Sequence, residues 1–253
     1  MKRYKNFKHL NIQLGYDDLN VTYKDGTRLY ETPNHETFPS VTSVLSILSK
    51  DSIEKWRKRV GNDKANRISY KASTRGTAVH EIIEKYINND KEYSDGFLPN
   101  IHDNFISVRS IIDRYIDNVL CQEGALYSTH LGLAGRVDCI AEWDGKVSII
   151  DFKTSAKLKK KEWCEGYFIQ EAAYAIMFEE RTGIPVEQLV TLIAVDNEEP
   201  QVFIEQRDNW TSKLIETIGL YNDSNNLLAV AKLSQPVAKD FTKEALIRVK
   251  LDF

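Results

Sequence analysis

Between Gly135 and Lys153 the chain is committed to a β-hairpin. Gly135-Arg136-Val137-Asp138 leads through a short apolar run to Asp144-Gly145, and Ile149-Ile150-Asp151-Phe152-Lys153 follows. Asp-Gly between runs of mixed apolar and polar residues is the strongest short-range hairpin signal, because both central turn positions need positive φ. With Asp144 and Gly145 as the turn, Trp143 pairs with Lys146. Counting outward sets Asp138 opposite Asp151, and Arg136 opposite Lys153. Opposed Cβ atoms on one face lie roughly 4.5–5.5 Å apart, and like charges there repel. A divalent cation between the carboxylates would turn that liability into a site. Asp151 and Lys153, two apart on a strand, project from one face with Val147 and Ile149 behind them. The face is therefore apolar at one end and polar at the other, as a pocket floor is. The register is decisive, since a one-residue slip sends Asp138 to the other face.

The 253 residues allow one large domain or two small ones, and 42% hydrophobic with 28% charged residues is a globular composition. No run approaches the ~20 apolar residues of a membrane span. Met1-Lys2-Arg3-Tyr4-Lys5 lacks the apolar core of a secretory signal, so a cytoplasmic location in a bacterium or phage-infected cell is expected. Cys121, Cys139 and Cys164 are odd in number and widely spaced. They suit a reducing compartment and argue against a disulfide framework or an iron–sulfur cluster. A net charge of −3 means that any polyanion must be met by local basic patches. Two exist: Lys55-Trp56-Arg57-Lys58-Arg59 with Lys64 and Arg67, and Lys157-Leu158-Lys159-Lys160-Lys161. Trp56, Trp163, Tyr167 and Phe168 lie near them, and bases of a single strand stack on such rings with little sequence preference.

The coarse pattern is α/β. Residues 1–38 read as irregular or short strands with a turn at Lys24-Asp25-Gly26-Thr27. A helix starts near Pro39, capped by Ser40 or Thr42, and a second short one covers Ser52 to Val60. A third runs from Asp63 or Ser73 to Asn88, with Val79, Ile82, Ile83, Tyr86 and Ile87 at helical spacing. Another is expected from Ile101 to Leu120. Strands follow over Cys121–Ser128 and Gly135–Lys153. Phe168–Thr182 is a helix stopped by Gly183, Gln188–Val195 and Gln201–Gln206 are strands, and a last helix begins near Asp208 or Thr211. The expected architecture is a central mixed sheet of about five strands flanked by helices.

The set Gly-x-x-Asp, hairpin, Asp-x-Lys-Thr resembles the core of the PD-(D/E)xK nuclease superfamily, and more narrowly its RecB-like branch, which takes in mitochondrial and phage exonucleases. Three further stretches carry the resemblance. Arg75-Gly76-Thr77-Ala78-Val79-His80 resembles a Gly-Thr-x-x-His element, Gln170-Glu171-Ala172-Ala173-Tyr174 a Gln-x-x-x-Tyr element, and Glu123 an acidic position before the hairpin. The resemblance runs from about Pro39 to Val195. It implies a restriction-endonuclease-like core over residues 39–233, with an N-terminal extension (1–38) and a C-terminal tail (234–253).

The resemblance implies metal-dependent hydrolysis of DNA phosphodiesters with Mg²⁺ or Mn²⁺, which oxygen ligands suit better than zinc. Asp138 and Asp151 are then metal ligands with His80 and the Phe152 carbonyl. Lys153 orients water or stabilises charge on the phosphate, and Glu123, Gln170 and Tyr174 complete the catalytic set. Arg75, Thr77, Thr154, Ser155, Lys157, Lys159 and Lys160 are candidates for phosphate contacts. His80 binds a cation only as neutral imidazole, so activity should fall below about pH 6. Glu123 is alternatively a salt-bridge partner for Arg136, and Gly76 would let its helix approach the sheet closely. The expected substrate is DNA with single-stranded ends or flaps, and a helicase or single-strand-binding protein is an expected partner. An endonuclease on the same core, or a non-catalytic nucleic-acid-binding module, are the rival readings.

Overall fold

The computed structural model describes residues 5–10, 12–207, 217–221 and 227–232. The last helix expected near Asp208 or Thr211 begins outside the described residues. The Lys24–Thr27 turn joins β1 (Asn20–Lys24) to β2 (Thr27–Glu31), and β3 (Thr37–Pro39) completes a three-stranded antiparallel sheet. Asp25 and Gly26 both have positive φ, as a two-residue hairpin loop requires.

The helix α1 (Val41–Val60) starts at Ser40, whose Oγ accepts from the Ser43 amide at 3.0 Å. It is one helix, not the two expected. The serine-rich middle does not break it because the hydroxyls of Ser46, Ser49 and Ser52 each donate to the carbonyl three residues back. Gly61, at φ 85°, ends it, and α2 (Asn62–Ile87) follows directly.

The next helix, α3 (Pro99–Tyr115), has proline at its first turn. It is shorter than expected, because Ile116–Leu120 belong to β4 (Ile116–Ser128). The period alone did not mark this switch, since no glycine or proline sits there. A distant partner decides it: Leu10 donates to the Val119 carbonyl, and Val119 to that of Lys8, at 2.8 and 2.7 Å. Lys5 Nζ also takes the Asp113 and Ile116 carbonyls at the helix end.

The hairpin comprises β5 (Leu133–Trp143) and β6 (Lys146–Ser155). Trp143 pairs with Lys146 and Cys139 with Ile150. After a 3₁₀ turn at Lys161–Cys164, α4 (Glu165–Thr182) ends on Gly183 in the left-handed conformation. Then come β7 (Gln188–Val195), β8 (Gln201–Gln206) and a separate two-stranded pair, β9 (Thr217–Tyr221) and β10 (Leu227–Lys232).

The central sheet has the order β4-β5-β6-β7-β8, with only β6 and β7 parallel. Alternate residues feed two cores. Cys139, Ala141, Ile150 and Phe152 join Val79, Ile82 and Ile83 of α2 and Phe105 and Ile112 of α3. Ile140 and Ile149 join Ala172, Tyr174, Met177 and Phe178 of α4 on the other face. Each fully buried Ile or Phe contributes roughly 1.5–3 kcal/mol. Helices thus cover both faces, as a sheet with a parallel pair requires. The N-terminal strands pack on the same sheet through β2 and β3: Tyr30 and Phe38 are buried with Ala125, Tyr127 and Ala134. No described helix is long and apolar enough to cross a membrane.

Candidate metal centre and active site

The site opens where the β5–β6 ladder stops. The last pair is Cys139 with Ile150, so the next would be Asp138 with Asp151. Instead the Asp138 carboxylate enters the ladder itself, and its Oδ2 accepts from the Phe152 amide at 2.9 Å. The extended register that placed Arg136 opposite Lys153 is not formed. Arg136 pairs with Ala125 on β4, ion-pairs with Asp18 at 2.7 Å, and donates to the Glu123 carbonyl. Its hydrogen bond to Glu123 is to the backbone carbonyl, while its charge also acts on the Glu123 carboxyl.

Asp138 and Asp151 have different direct partners, although each still feels the other's charge. Asp138 Oδ2 lies 3.4 Å from His80 Nδ1 on α2. The His80 ring meets the Phe152 ring edge-on at 6.5 Å. Glu123 falls opposite Asp138, because Gln122 faces Cys139 and Gly124 faces Val137. It adopts φ 50°, in the left-handed region that a glutamate seldom enters. Such strain costs about 1–3 kcal/mol and collects at functional sites. Ligand atoms of His80, Glu123 and Asp138 all lie within 4.8 Å of one another. Asp151 is not in that cluster.

Burial, with Asp138 and Glu84 adding repulsion, raises the Glu123 carboxyl to about 7. A carboxyl so poised, beside a second carboxylate and an imidazole, fits a hard divalent cation such as Mg²⁺ or Mn²⁺.

Asp151 turns toward α4. Its Oδ1 accepts from Gln170 at 3.2 Å, and its Oδ2 ion-pairs with Lys153 at 2.5 Å. Burial raises the Asp151 carboxyl to about 6, with Lys153 opposing and Asp138 adding to the rise. Burial would lower Lys153, but Asp151 and Asp138 outweigh it and hold the ammonium charged far above neutral pH. Tyr174 is buried, and burial with nearby Asp138 and Asp151 keeps its phenol protonated. A Cβ at Gly135 would stand 2.7 Å from that ring, so the Gly-x-x-Asp glycine is there to seat Tyr174. Gly76 is different. A Cβ there would meet Thr154 Oγ1 at an ordinary 3.8 Å, so close approach does not demand glycine.

The phosphate candidates divide. Arg75 is tied to Asp196 by an ion pair, with Asn104 also reaching Asp196, and lines an open groove of about 1290 Å³ between α2, α3 and the β7–β8 turn. Ser155 Oγ closes a turn on the Lys157 carbonyl at 2.6 Å. Thr77, Lys157 and Lys160 are exposed, while Thr154 and Lys159 are partly covered.

One buried carboxyl was passed over at the level of sequence. Glu171 is fully buried, accepts from Thr191, which pairs with Asp151, and is pushed well up by burial with Asp151 adding to the effect. A signal existed: Phe168 to Phe178 is apolar nearly throughout, so a glutamate inside it has to be buried and partnered.

A mixed sheet with a hairpin of acidic residues, a strand-borne lysine and a histidine on the covering helix is a nuclease arrangement. The chain belongs to the PD-(D/E)XK nuclease superfamily, whose family model matches residues 55–228. It is similar to Mitochondrial genome maintenance exonuclease 1 of Homo sapiens, 28% identical over 129 residues, or 48% of this chain. The same protein of Mus musculus is 27% identical over 131 residues, or 49% of this chain. Each match covers 38% of the relative, so the matched region spans well under half its length. A Eubacterium rectale structure provisionally named an exonuclease shares 19% identity at a TM-score of 0.38, over 56% of this chain and 61% of its own. That likeness is too slight to carry an argument.

Proposed function

We propose that this chain is a metal-dependent DNA exonuclease acting on single-stranded ends or flaps, with Mg²⁺ or Mn²⁺ as cofactor. The observation that carries the reading is the His80–Glu123–Asp138 cluster lying one strand from the Asp151–Lys153 ion pair. The exonuclease part of the reading is supported by the relatives' names.

In this reading His80, Glu123 and Asp138 hold the cation, and Asp151 and the Phe152 carbonyl complete its surroundings. When bound, the cation supplies positive charge that polarises the scissile phosphate and eases deprotonation of the attacking water. The protein side chains do the rest. The Phe152 amide fixes the Asp138 carboxylate, so the ligand is set before substrate arrives. Lys153 stays an ammonium, so it acts as a donor to a phosphate oxygen and not as a base. Asp151, anchored by Gln170, aims that ammonium. Tyr174, seated on Gly135, walls the site below. Thr77, Thr154, Ser155, Lys157, Lys159 and Lys160 meet the phosphate backbone, and Arg75 does so only by sharing its charge with Asp196. A bacterial or phage-infected cytoplasm, with a helicase or single-strand-binding protein exposing the strand, is the setting that suits this activity.

The test is a digestion series on 5′- and 3′-labelled linear single strands, duplexes and circular single strands, with Mg²⁺ and with EDTA. Nucleotide release from linear single strands, only with metal, is the expected result. Cleavage of the circle would identify an endonuclease. Absence of cleavage from every substrate with Mg²⁺ or Mn²⁺ would leave only a binding module.

A further inference from the structure

The segment after β6 carries aromatic rings and lysines in an arrangement that the metal chemistry does not use. The half-buried Tyr167 ring is shared by two ammonium groups: Lys153 Nζ stands 5.2 Å from its centroid and Lys159 Nζ 5.8 Å. One turn earlier, Trp163 is 63% exposed, with Lys160 Nζ 5.7 Å from its ring centre. Tryptophan left so bare is an expensive surface residue, since it forgoes most of its apolar burial.

The segment is also held rigid. Lys159 exchanges two backbone bonds with the Gln201 side chain, at 2.7 and 2.9 Å. Lys161 pairs with buried Glu205 at 2.8 Å. Cys164 and Phe168 are buried against Ile193 and Val195. Trp163 is thus displayed, and Tyr167 held half-buried a turn away, on an anchored scaffold, so both rings lose little freedom when something stacks on them.

We infer that Trp163 and Tyr167 form a stacking platform for bases of a single DNA strand, with Lys159 and Lys160 on its phosphates, delivering the strand to Lys153. The inference rests on the nuclease reading for its substrate. Charge complementarity supports that occupant: Lys157, Lys159 and Lys160 lie along the segment, against Glu162 and Glu165. Continuity supports it too, because the Tyr167 ring touches the same ammonium that pairs with Asp151. Aromatic rings answer to unpaired bases, whereas a duplex keeps its base faces stacked inside.

The test is binding in EDTA, which separates it from catalysis. Fluorescence anisotropy would compare a fluorescein-labelled single strand with an abasic strand of equal length. Trp163→Ala should weaken binding of the ordinary strand on the order of 5- to 100-fold and leave abasic binding within twofold. Tyr167→Leu should act in the same direction, and circular dichroism would confirm that both variants fold. Lys160→Ala should weaken both strands equally and lower the salt slope. Unchanged binding by Trp163→Ala, or equal losses on the two strands, would overturn the platform. If the wild type cleaves nothing yet discriminates the two strands through Trp163, the nuclease reading fails and the platform stands.

Discussion

Asp138 occupies the hydrogen-bonding slot that a β5 carbonyl would otherwise fill, accepting from the Phe152 amide at 2.9 Å. One side chain therefore ends the ladder, splits two strands and presents a carboxylate to His80. Asparagine keeps an acceptor for that amide, so Asp138→Asn should fold normally while cleavage falls by about 10²-fold or more. Asp138→Ala strands the amide and should also lower stability by roughly 1–3 kcal/mol. Paired urea titrations and cleavage assays separate the two effects. Equal stability of the two variants would contradict the role given to the bond.

Three carboxyls around the site are raised by burial: Glu123 to about 7, Asp151 to about 6, and Glu171 well above the usual carboxyl range. A raised carboxyl keeps its proton in the folded state after the unfolded chain has lost it. Between the ordinary carboxyl range and the raised values the folded state holds more protons, so metal-free stability falls as pH rises. In EDTA the melting temperature should therefore drop from pH 5.5 to 7.5. Glu123→Gln should flatten that slope. Divalent cations bind the deprotonated site, so their stabilisation should grow over the same interval. A melting temperature that rises with pH in EDTA would contradict this account of the charges.

Two glycines of the recognised motifs should respond oppositely to alanine. At Gly135 the new methyl would meet the buried Tyr174 ring at 2.7 Å, so Gly135→Ala should cost about 1–3 kcal/mol through overpacking. At Gly76, inside α2, the nearest atom is 3.8 Å away, and Gly76→Ala should be neutral or stabilising by roughly 0.5–1 kcal/mol. Chemical denaturation of both variants checks the contrast.

Lys153 is the group assigned to phosphate charge. Its removal should lower cleavage by about 10²–10³-fold, while single-strand binding in EDTA stays within a few-fold. Lys153→Arg should not rescue, because a planar fork cannot replace a compact ammonium against Asp151. Near wild-type cleavage by Lys153→Ala would remove lysine from the mechanism.

Much of this was legible from residues alone. Asp144-Gly145 carries its own turn chemistry, so the hairpin and its register near the turn followed from local rules. Gly183 and Ser40 marked helix ends for the same reason. Long-range facts were hidden. Nothing near Ile116 announces the switch from helix to strand, because residues 8–10 supply the partner. The divergence of β5 and β6 beyond Cys139 is likewise a tertiary event. There the Asp138 carboxylate meets the Phe152 amide, while on β4 Glu123, at an unusual φ, joins the cluster with His80 and Asp138. The expected Asp138–Asp151 pair lies one step beyond the last formed pair, Cys139 with Ile150, and Asp138 still acts on the Asp151 carboxyl through its charge.

The central claim is that His80, Glu123 and Asp138 bind the divalent cation on which cleavage depends. Calorimetric titration of Mn²⁺ into the protein at pH 7.5 tests it most directly. The account predicts saturable binding by wild type, weakened at least 10-fold in Glu123→Gln and Asp138→Asn and retained in Lys153→Ala. No Mn²⁺ binding by wild type, or wild-type affinity in both carboxylate variants, would contradict it.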